Sequence, residues 1–274
     1  METGIFDNIR NEEYHKKHAL SKSGLVNFAK SPYYYQWCLQ NPKEPTPVML
    51  LGTHAHTKIL ESEKHRKKYI VAPDVGDKRK KENKEKWEAF LESAKGKTIV
   101  TQDDMDLVNG MAASIVESEL AIKLLSGGIA EQSVFWKHPV YGFDCQCRPD
   151  YLNPKYKAII ELKTTADCSP DKVQRAILNF KYHWQDYHYR SGMDIVAPGE
   201  YETFVFIFVE SKPPHSIAIR VLDEGWRFGS ELETDPLYRE YAECLEKDKW
   251  PKPPDEIGVI EPPKWYVTNL VFND

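Results

Sequence analysis

Two carboxylates and a lysine stand where they can meet: Arg148-Pro149-Asp150 is followed by Ile160-Glu161-Leu162-Lys163-Thr164-Thr165. Residues 142–148 read as a strand, the Asn-Pro-Lys at 153–155 as a turn, and residues 157–163 as a second, largely apolar strand, which together predict a hairpin. Strand side chains alternate faces, so Glu161 and Lys163 share one side and Leu162 points into the opposite layer. Asp150, at the end of the partner strand, then meets them. Converging carboxylates repel and desolvate one another unless a cation lies between them, and hard oxygen ligands suit Mg²⁺ or Mn²⁺. Such an ion can acidify water, polarise a phosphoryl oxygen and stabilise a leaving alkoxide. Lys163 adds positive charge where attacking water and a pentacovalent phosphate would lie. The pattern points to metal-assisted phosphodiester hydrolysis. Glu-x-Lys alone is common by chance and reads as polar residues at a fraying strand end; the upstream Pro-Asp shifts the balance toward a site.

Two helices are expected to support this group. Residues 46–61 hold Val48, Met49, Leu50, Leu51, Ala55, Ile59 and Leu60, a pattern that predicts a mostly buried helix carrying His54 and His56. Either histidine could face the hairpin, and a lone histidine on such a helix is more often a packing residue than a ligand. Residues 169–192 read as one helix, with Ser169 capping and Pro170 in its first turn. Val173, Ala176, Ile177, Phe180, Trp184 and Tyr187 form its expected core stripe, and Gln185 and Tyr189, four apart, share a face beside it.

The chain has 274 residues, 41% of them hydrophobic, enough for a large core and one domain. Residues 1–130 read as mainly helical with a charged excursion at 64–98. Residues 131–222 hold the sheet and motif helix, and 223–274 a helix to residue 247 followed by a Pro-rich tail at 250–265. Strands are expected at 134–136, 142–150, 157–163, 203–209 and 216–221. Strands alternating with helices imply a mixed α/β sheet covered on both faces. No apolar run is long enough to cross a bilayer and no signal peptide is visible, so the cytosol is the expected compartment. Five cysteines argue against a disulfide framework. Cys145 and Cys147 share a strand face, but no second pair stands at zinc-ligand spacing. Net charge is -5. Basic runs at 64–68 and 78–86 contrast with acidic ones at 200–202, 231–235 and 243–248, so one surface can still be basic. The basic runs read equally well as solvated loops.

The Pro-Asp…Glu-x-Lys spacing resembles the PD-(D/E)XK nuclease superfamily. Gly52-Thr53-His54-Ala55-His56 is similar to the G-x-x-x-H helix of its RecB-like branch, and Gln185-Asp186-Tyr187-His188-Tyr189 to that branch's Q-x-x-x-Y helix. Over nearly the whole chain, the resemblance is to the nuclease domain of RecE-type exonucleases (exonuclease VIII). It includes residues 145–150, 162–167 and 182–186, with Glu161 standing where those enzymes carry Asp. The resemblance implies a PD-(D/E)XK core, an α/β fold with a mixed central sheet flanked by helices. It selects His56 over His54 and places Gln185 and Tyr189 against substrate. The implied ligands are Asp150, Glu161, the Leu162 carbonyl and, for a second ion, His56, with Lys163 acting on water. It further implies processive 5′ to 3′ digestion of linear duplex DNA to leave 3′ tails for recombination. The implied partners are DNA ends, a single-strand annealing protein, and copies of itself in a ring such as a tetramer. No membrane is implied. Some RecB-like nucleases hold an iron–sulfur cluster; none is expected here, since Ser31-Pro32-Tyr33 replaces the early Cys-Pro and Cys244 stands alone near the end. Alternatives are a RecB-like nuclease cutting single strands or acting internally, and an inactive protein that binds DNA ends.

Overall fold

Polar caps and prolines punctuate the first half of the chain. In the computed structural model, which describes residues 2–77 and 79–262, strand β1 (Gly4–Phe6) leads to helices α1 (Asn11–His15), α2 (Lys22–Phe28) and α3 (Pro32–Gln40). The Ser21 and Ser31 hydroxyls accept from the backbone N–H of Gly24 and Tyr34 at 3.1 and 3.0 Å, starting α2 and α3. Helix α4 (Pro47–Leu60) begins the same way, with Thr46 as its cap and Pro47 in its first turn. The charged excursion follows: α5 (Ser62–Lys68), β2 (Tyr69–Val71), α6 (Lys81–Ser93) and β3 (Thr98–Val100), with β2 and β3 paired in parallel. Lys81, Lys84 and Lys86 of α6 pair with Glu85, Glu88 and Glu82 one turn away, so much of this basic run is neutralised locally. Lys78 lies outside the described residues.

Helices α7 (Gln102–Glu117) and α8 (Glu119–Leu124) precede strands β4 (Ile129–Ala130), β5 (Ser133–Lys137), β6 (Asp144–Cys147), β7 (Tyr151–Asn153) and β8 (Ala158–Thr165). The chain then forms α9 (Pro170–Asn179), α10 (Tyr182–Val196), β9 (Thr203–Glu210), β10 (Ile217–Arg220) and α11 (Glu224–Lys247). The fold is mixed α/β. A five-stranded sheet runs β10-β9-β8-β7-β4, parallel only between β8 and β9, and a three-stranded antiparallel sheet runs β1-β5-β6. Of the expected strand over 142–150 only Asp144–Cys147 is strand, and β7 begins just beyond it, at Tyr151, in the other sheet. Pro149 has no N–H to continue a ladder, and the chain changes sheets there. Consequently β8 forms its hairpin with β7, not with residues 142–148.

Strand β8 is buried on both faces, as its apolar run predicts. Ile159 packs with Phe204, Phe206, Phe208, Trp136 and Trp184, whereas Ile160 and Leu162 pack with Ala55 of α4 and with Val108 and Met111 of α7. Three sequence expectations need correction. Residues 169–192 form two helices, because Lys181 adopts a left-handed backbone (φ 53°) between them, and Phe180 is consequently exposed rather than in a core stripe. Ser169 occupies the cap position of α9, but its side chain makes no capping bond. Val48, Met49 and Leu50 are exposed, so α4 buries residues only beyond its first turn. In the tail, Trp250 packs edge-on against Phe28 and Tyr241, while residues 251–262 are exposed and the expected continuation at 263–265 lies outside the described residues.

Helix α10 lies against β5, where Gly192 meets the buried Trp136 ring. A Cβ at position 192 would stand 2.7 Å from that ring, closer than packing allows. Gly192→Ala should therefore destabilise the chain by about 1–3 kcal/mol, although alanine favours helix. Urea unfolding checks the sign, and an unchanged or higher midpoint would show that α10 does not sit this closely on β5.

Candidate active site

The open end of the β7–β8 hairpin concentrates charge in a partly buried space. Alternation along β8 turns Glu161 and Lys163 toward α10, and the Lys163 ammonium lies 2.7 Å from Glu161 Oε2. Gln185, on α10, donates from Nε2 to the same oxygen at 2.6 Å. The other oxygen, Glu161 Oε1, accepts the Asp150 backbone N–H at 3.1 Å, and Asp150 Oδ2 accepts the Leu162 N–H at 2.7 Å. Each carboxylate thus holds the backbone beside the other. Leu162 enters the site through this amide. The cross-bonds take up N–H groups that have no ladder partner past the last β7–β8 pair, Tyr151 with Ile160.

Asp150 Oδ1 faces α4, where His56 Nδ1 lies 3.4 Å away. Gly52, one turn before His56, lets α4 approach β8: a Cβ there would stand 3.3 Å from Thr164 Oγ1. His54, on the opposite side of the helix, is buried with its Nε2 2.8 Å from His65 Nε2 and its ring stacked on Tyr69. Burial, with the neighbouring His65, pushes its pKa down to about 4, so it packs as a neutral ring. Between two histidines of nearly equal chemical promise, the site receives His56.

Glu131 was not among the residues expected from sequence. It follows β4 in a left-handed conformation (φ 57°), and its N–H donates to the Asp150 carbonyl at 3.1 Å. Ligand-type atoms of His56, Glu131 and Asp150 all lie within 4.8 Å of one another. Nothing in the local sequence separates Glu131 from other acids of the chain; only the β4–β7 pairing brings it beside Asp150.

Electrostatics divide the acids. Burial works against ionised Asp150, but the adjacent His56, Lys163 and the Leu162 N–H outweigh it and hold this carboxyl below the ordinary range. Burial and the Asp150 charge push Glu161 up. Burial first and Asp150 second raise Glu131 to about 7. Lys163 is driven upward because Glu161 and Asp150 outweigh its burial. Asp150 is the charged centre, flanked by two acids that resist ionisation while no further positive charge is near.

Beside this network is a cavity of about 360 Å³ walled by Lys22, Arg148, Lys163, Tyr182, Gln185 and Tyr189, among others. Tyr189 is half-buried, packs on Phe204 with 5.9 Å between ring centres, and lines the cavity wall. Arg148 is fixed by bonds to Ser133, Asn11 and the Ile9 carbonyl. Cys145 and Cys147 are buried in the core.

Residues 21–262 match the model of a family described as a PDDEXK-like domain of unknown function (DUF3799). The chain belongs to this PDDEXK-like family. No curated protein matches the sequence. Among solved structures, a candidate exonuclease from Eubacterium rectale superposes with a TM-score of 0.62 at 13% identity, covering 98% of this chain and all of that one. That likeness supports the fold. The structure of SSO0001 aligns at a TM-score of 0.31 and 15% identity over 74% of this chain and 89% of that one.

PDDEXK-like nucleases use divalent metals, and the residues present fit one: an imidazole and carboxylate oxygens in a group whose acids repel one another without a cation. His56, Glu131 and Asp150 would hold it, and its contribution would be Lewis acidity toward a phosphoryl oxygen and toward water. Glu161, expected beside Asp150 as a ligand, here has both oxygens in hydrogen bonds to Asp150, Lys163 and Gln185. It orients the ammonium of Lys163, which can neutralise charge developing on a phosphate at the cavity. Gln185 fixes Glu161 in turn.

In the PDDEXK-like chain, His56→Ala and Glu131→Gln should each weaken Mn²⁺ binding by about tenfold or more, and His54→Ala should leave it unchanged. Lys163→Ala should keep the fold and lower metal-dependent hydrolysis on the order of a thousandfold. Titration calorimetry and a nuclease assay check both statements. Stronger loss of Mn²⁺ in His54→Ala than in His56→Ala, or near-normal activity in folded Lys163→Ala, would contradict the site.

Proposed function

We propose that this protein is a metal-dependent DNA exonuclease that digests linear duplex DNA from the 5′ end and leaves 3′ single-stranded tails for recombination. The observation that carries the reading is the bonded group Asp150–Glu161–Lys163–Gln185, opening on a cavity with cationic walls. A cavity of about 360 Å³ suits one strand end better than an intact duplex. The resemblance to RecE-type exonucleases supplies the polarity and processivity. Mg²⁺ or Mn²⁺ is the proposed cofactor, with two ions sharing Asp150: one with His56 and Glu131, the other with the Leu162 carbonyl and Glu161, whose Oε2 would exchange its bonds to Lys163 and Gln185 for the ion. Asp150 Oδ1 faces His56 and Oδ2 accepts the Leu162 N–H, so a second ion would take the place of that hydrogen bond. Lys163 positions or activates the attacking water, and Gln185 and Tyr189 support the bound strand.

A closed ring of copies, a tetramer in the simplest case, would turn a local basic surface into a continuous channel and place acidic surface outside, in keeping with a pI of about 6.0. Enclosure then gives processivity without tight base contacts. The proposed setting is the cytoplasm, with a single-strand annealing protein receiving the 3′ tail. Among the described residues, no helix is long and apolar enough to cross a membrane.

Linear duplex labelled separately at the 5′ and 3′ ends, with a matched closed circle, tests this reading in Mg²⁺ or Mn²⁺. The 5′ label should be released first, the 3′ label retained, and the circle left intact. Light scattering should find a species several-fold heavier than 31.8 kDa. Cutting of the circle or first release of the 3′ label would overturn the exonuclease polarity, and a monomer would rule out the ring.

A further inference from the structure

Phe180 has the hydrophobic spacing of a core residue and yet is 60% exposed, beside the active site. It ends α9, and the left-handed Lys181 turns the chain so that Phe180 stacks on Tyr182 with ring centres 5.6 Å apart and planes at 29°. Tyr182 leans in turn on Phe206 and Phe208 of β9, at 5.8 and 6.2 Å. An aromatic series therefore runs from the buried sheet to solvent and ends in an uncovered ring. Two ammonium groups flank its middle member. Lys163 lies 4.9 Å from the Tyr182 ring centre and Lys22 5.3 Å from it. Lys22 also donates to the Phe180 carbonyl at 2.5 Å, which ties helix α2 to this corner.

An uncovered aromatic face costs free energy in water unless something stacks on it. The chemistry here is a flat apolar surface adjoining two cations, one of them the lysine of the hydrolytic network. A nucleotide of a single strand has the complementary form, a flat base joined to an anionic phosphate. Burial, reinforced by the charge of Lys163, lowers Lys22 to about 8, so this ammonium gains from an incoming anion.

We infer that Phe180 and Tyr182 form a stacking platform for an unpaired base of the strand whose phosphate reaches Lys163, with Lys22 as the neighbouring phosphate contact. This rests on the nuclease reading and deepens it: the strand enters the site with a base out of its duplex stack. The duplex is opened at the corner between α9 and α10, and the platform holds the base without reading its identity, because every base has a π-face.

The full-length chain, in EDTA to prevent cleavage, is titrated against a fluorescein-labelled single-stranded oligonucleotide and against one carrying 2-aminopurine near its end. Wild type should bind and quench the 2-aminopurine. Phe180→Ala, with its fold checked by circular dichroism, should lose the quench and bind on the order of tenfold more weakly, while Phe180→Trp should keep both properties. Lys22→Gln should weaken binding and reduce the dependence on salt, with the quench retained. Equal binding and equal quench in Phe180→Ala would overturn the platform, as would absence of quenching in wild type, which would leave the exposed ring as a surface for another protein. The nuclease reading fails separately: a chain that binds and quenches but cleaves nothing in Mg²⁺ or Mn²⁺ has the platform without the hydrolysis.

Discussion

Holding carboxylates away from bulk water is the constraint around which this molecule is arranged. An ionised carboxyl in a partly buried site is costly unless other groups replace its hydration. Asp150 and Glu161 receive those groups from three segments: the hairpin itself, which supplies Lys163 and backbone N–H groups, α10, which supplies Gln185, and α4, which supplies His56. Removing one member leaves the others unpaired rather than merely losing one contact. Glu131 adds a third acid at the side facing α4, and it and Glu161 resist ionisation beside Asp150, an imbalance that a bound cation would relieve. That imbalance is the physical basis for expecting a cation.

The surrounding fold serves this arrangement. Strand β8 must be covered on both faces for its end to be sheltered, and the two cores do so, with α10 on one side and α4 and α7 on the other. Of these, α10 and α4 also supply site residues. On α10, Tyr182, Gln185 and Tyr189 recur at helical spacing along the face that meets the cavity, so one helix sets the aromatic platform, the Glu161 contact and the far wall together. Pro149 ends one ladder, and Asp150 is released from regular pairing to bond across the hairpin mouth.

Much of the site was legible in the chain because its chemistry lies in short, periodic segments. Alternation along 157–163 placed Glu161, Leu162 and Lys163 on their correct faces, and four-residue spacing placed Gln185 and Tyr189 on one wall. Other features depend on contacts between distant segments. Glu131 acquires meaning only through pairing of β4 with β7. The break at Phe180 and Lys181 has no glycine or proline to announce it, so an apparently continuous apolar stripe concealed a turn. Likewise, the apolar run Val48-Met49-Leu50 resembles a buried helix face, yet it precedes the part of α4 that meets the sheet. The choice between His54 and His56 needed a resemblance, because two histidines on one helix are chemically alike until their neighbours are known.

If the acids around Asp150 form a place for a divalent cation, ion binding stabilises the folded chain. Calorimetric unfolding in EDTA and in increasing Mn²⁺ tests it without reference to any substrate. The midpoint should rise with Mn²⁺ by mass action, and the rise should vanish in Asp150→Asn. The same midpoint with and without the ion, in a wild-type chain that unfolds cooperatively, would contradict the account.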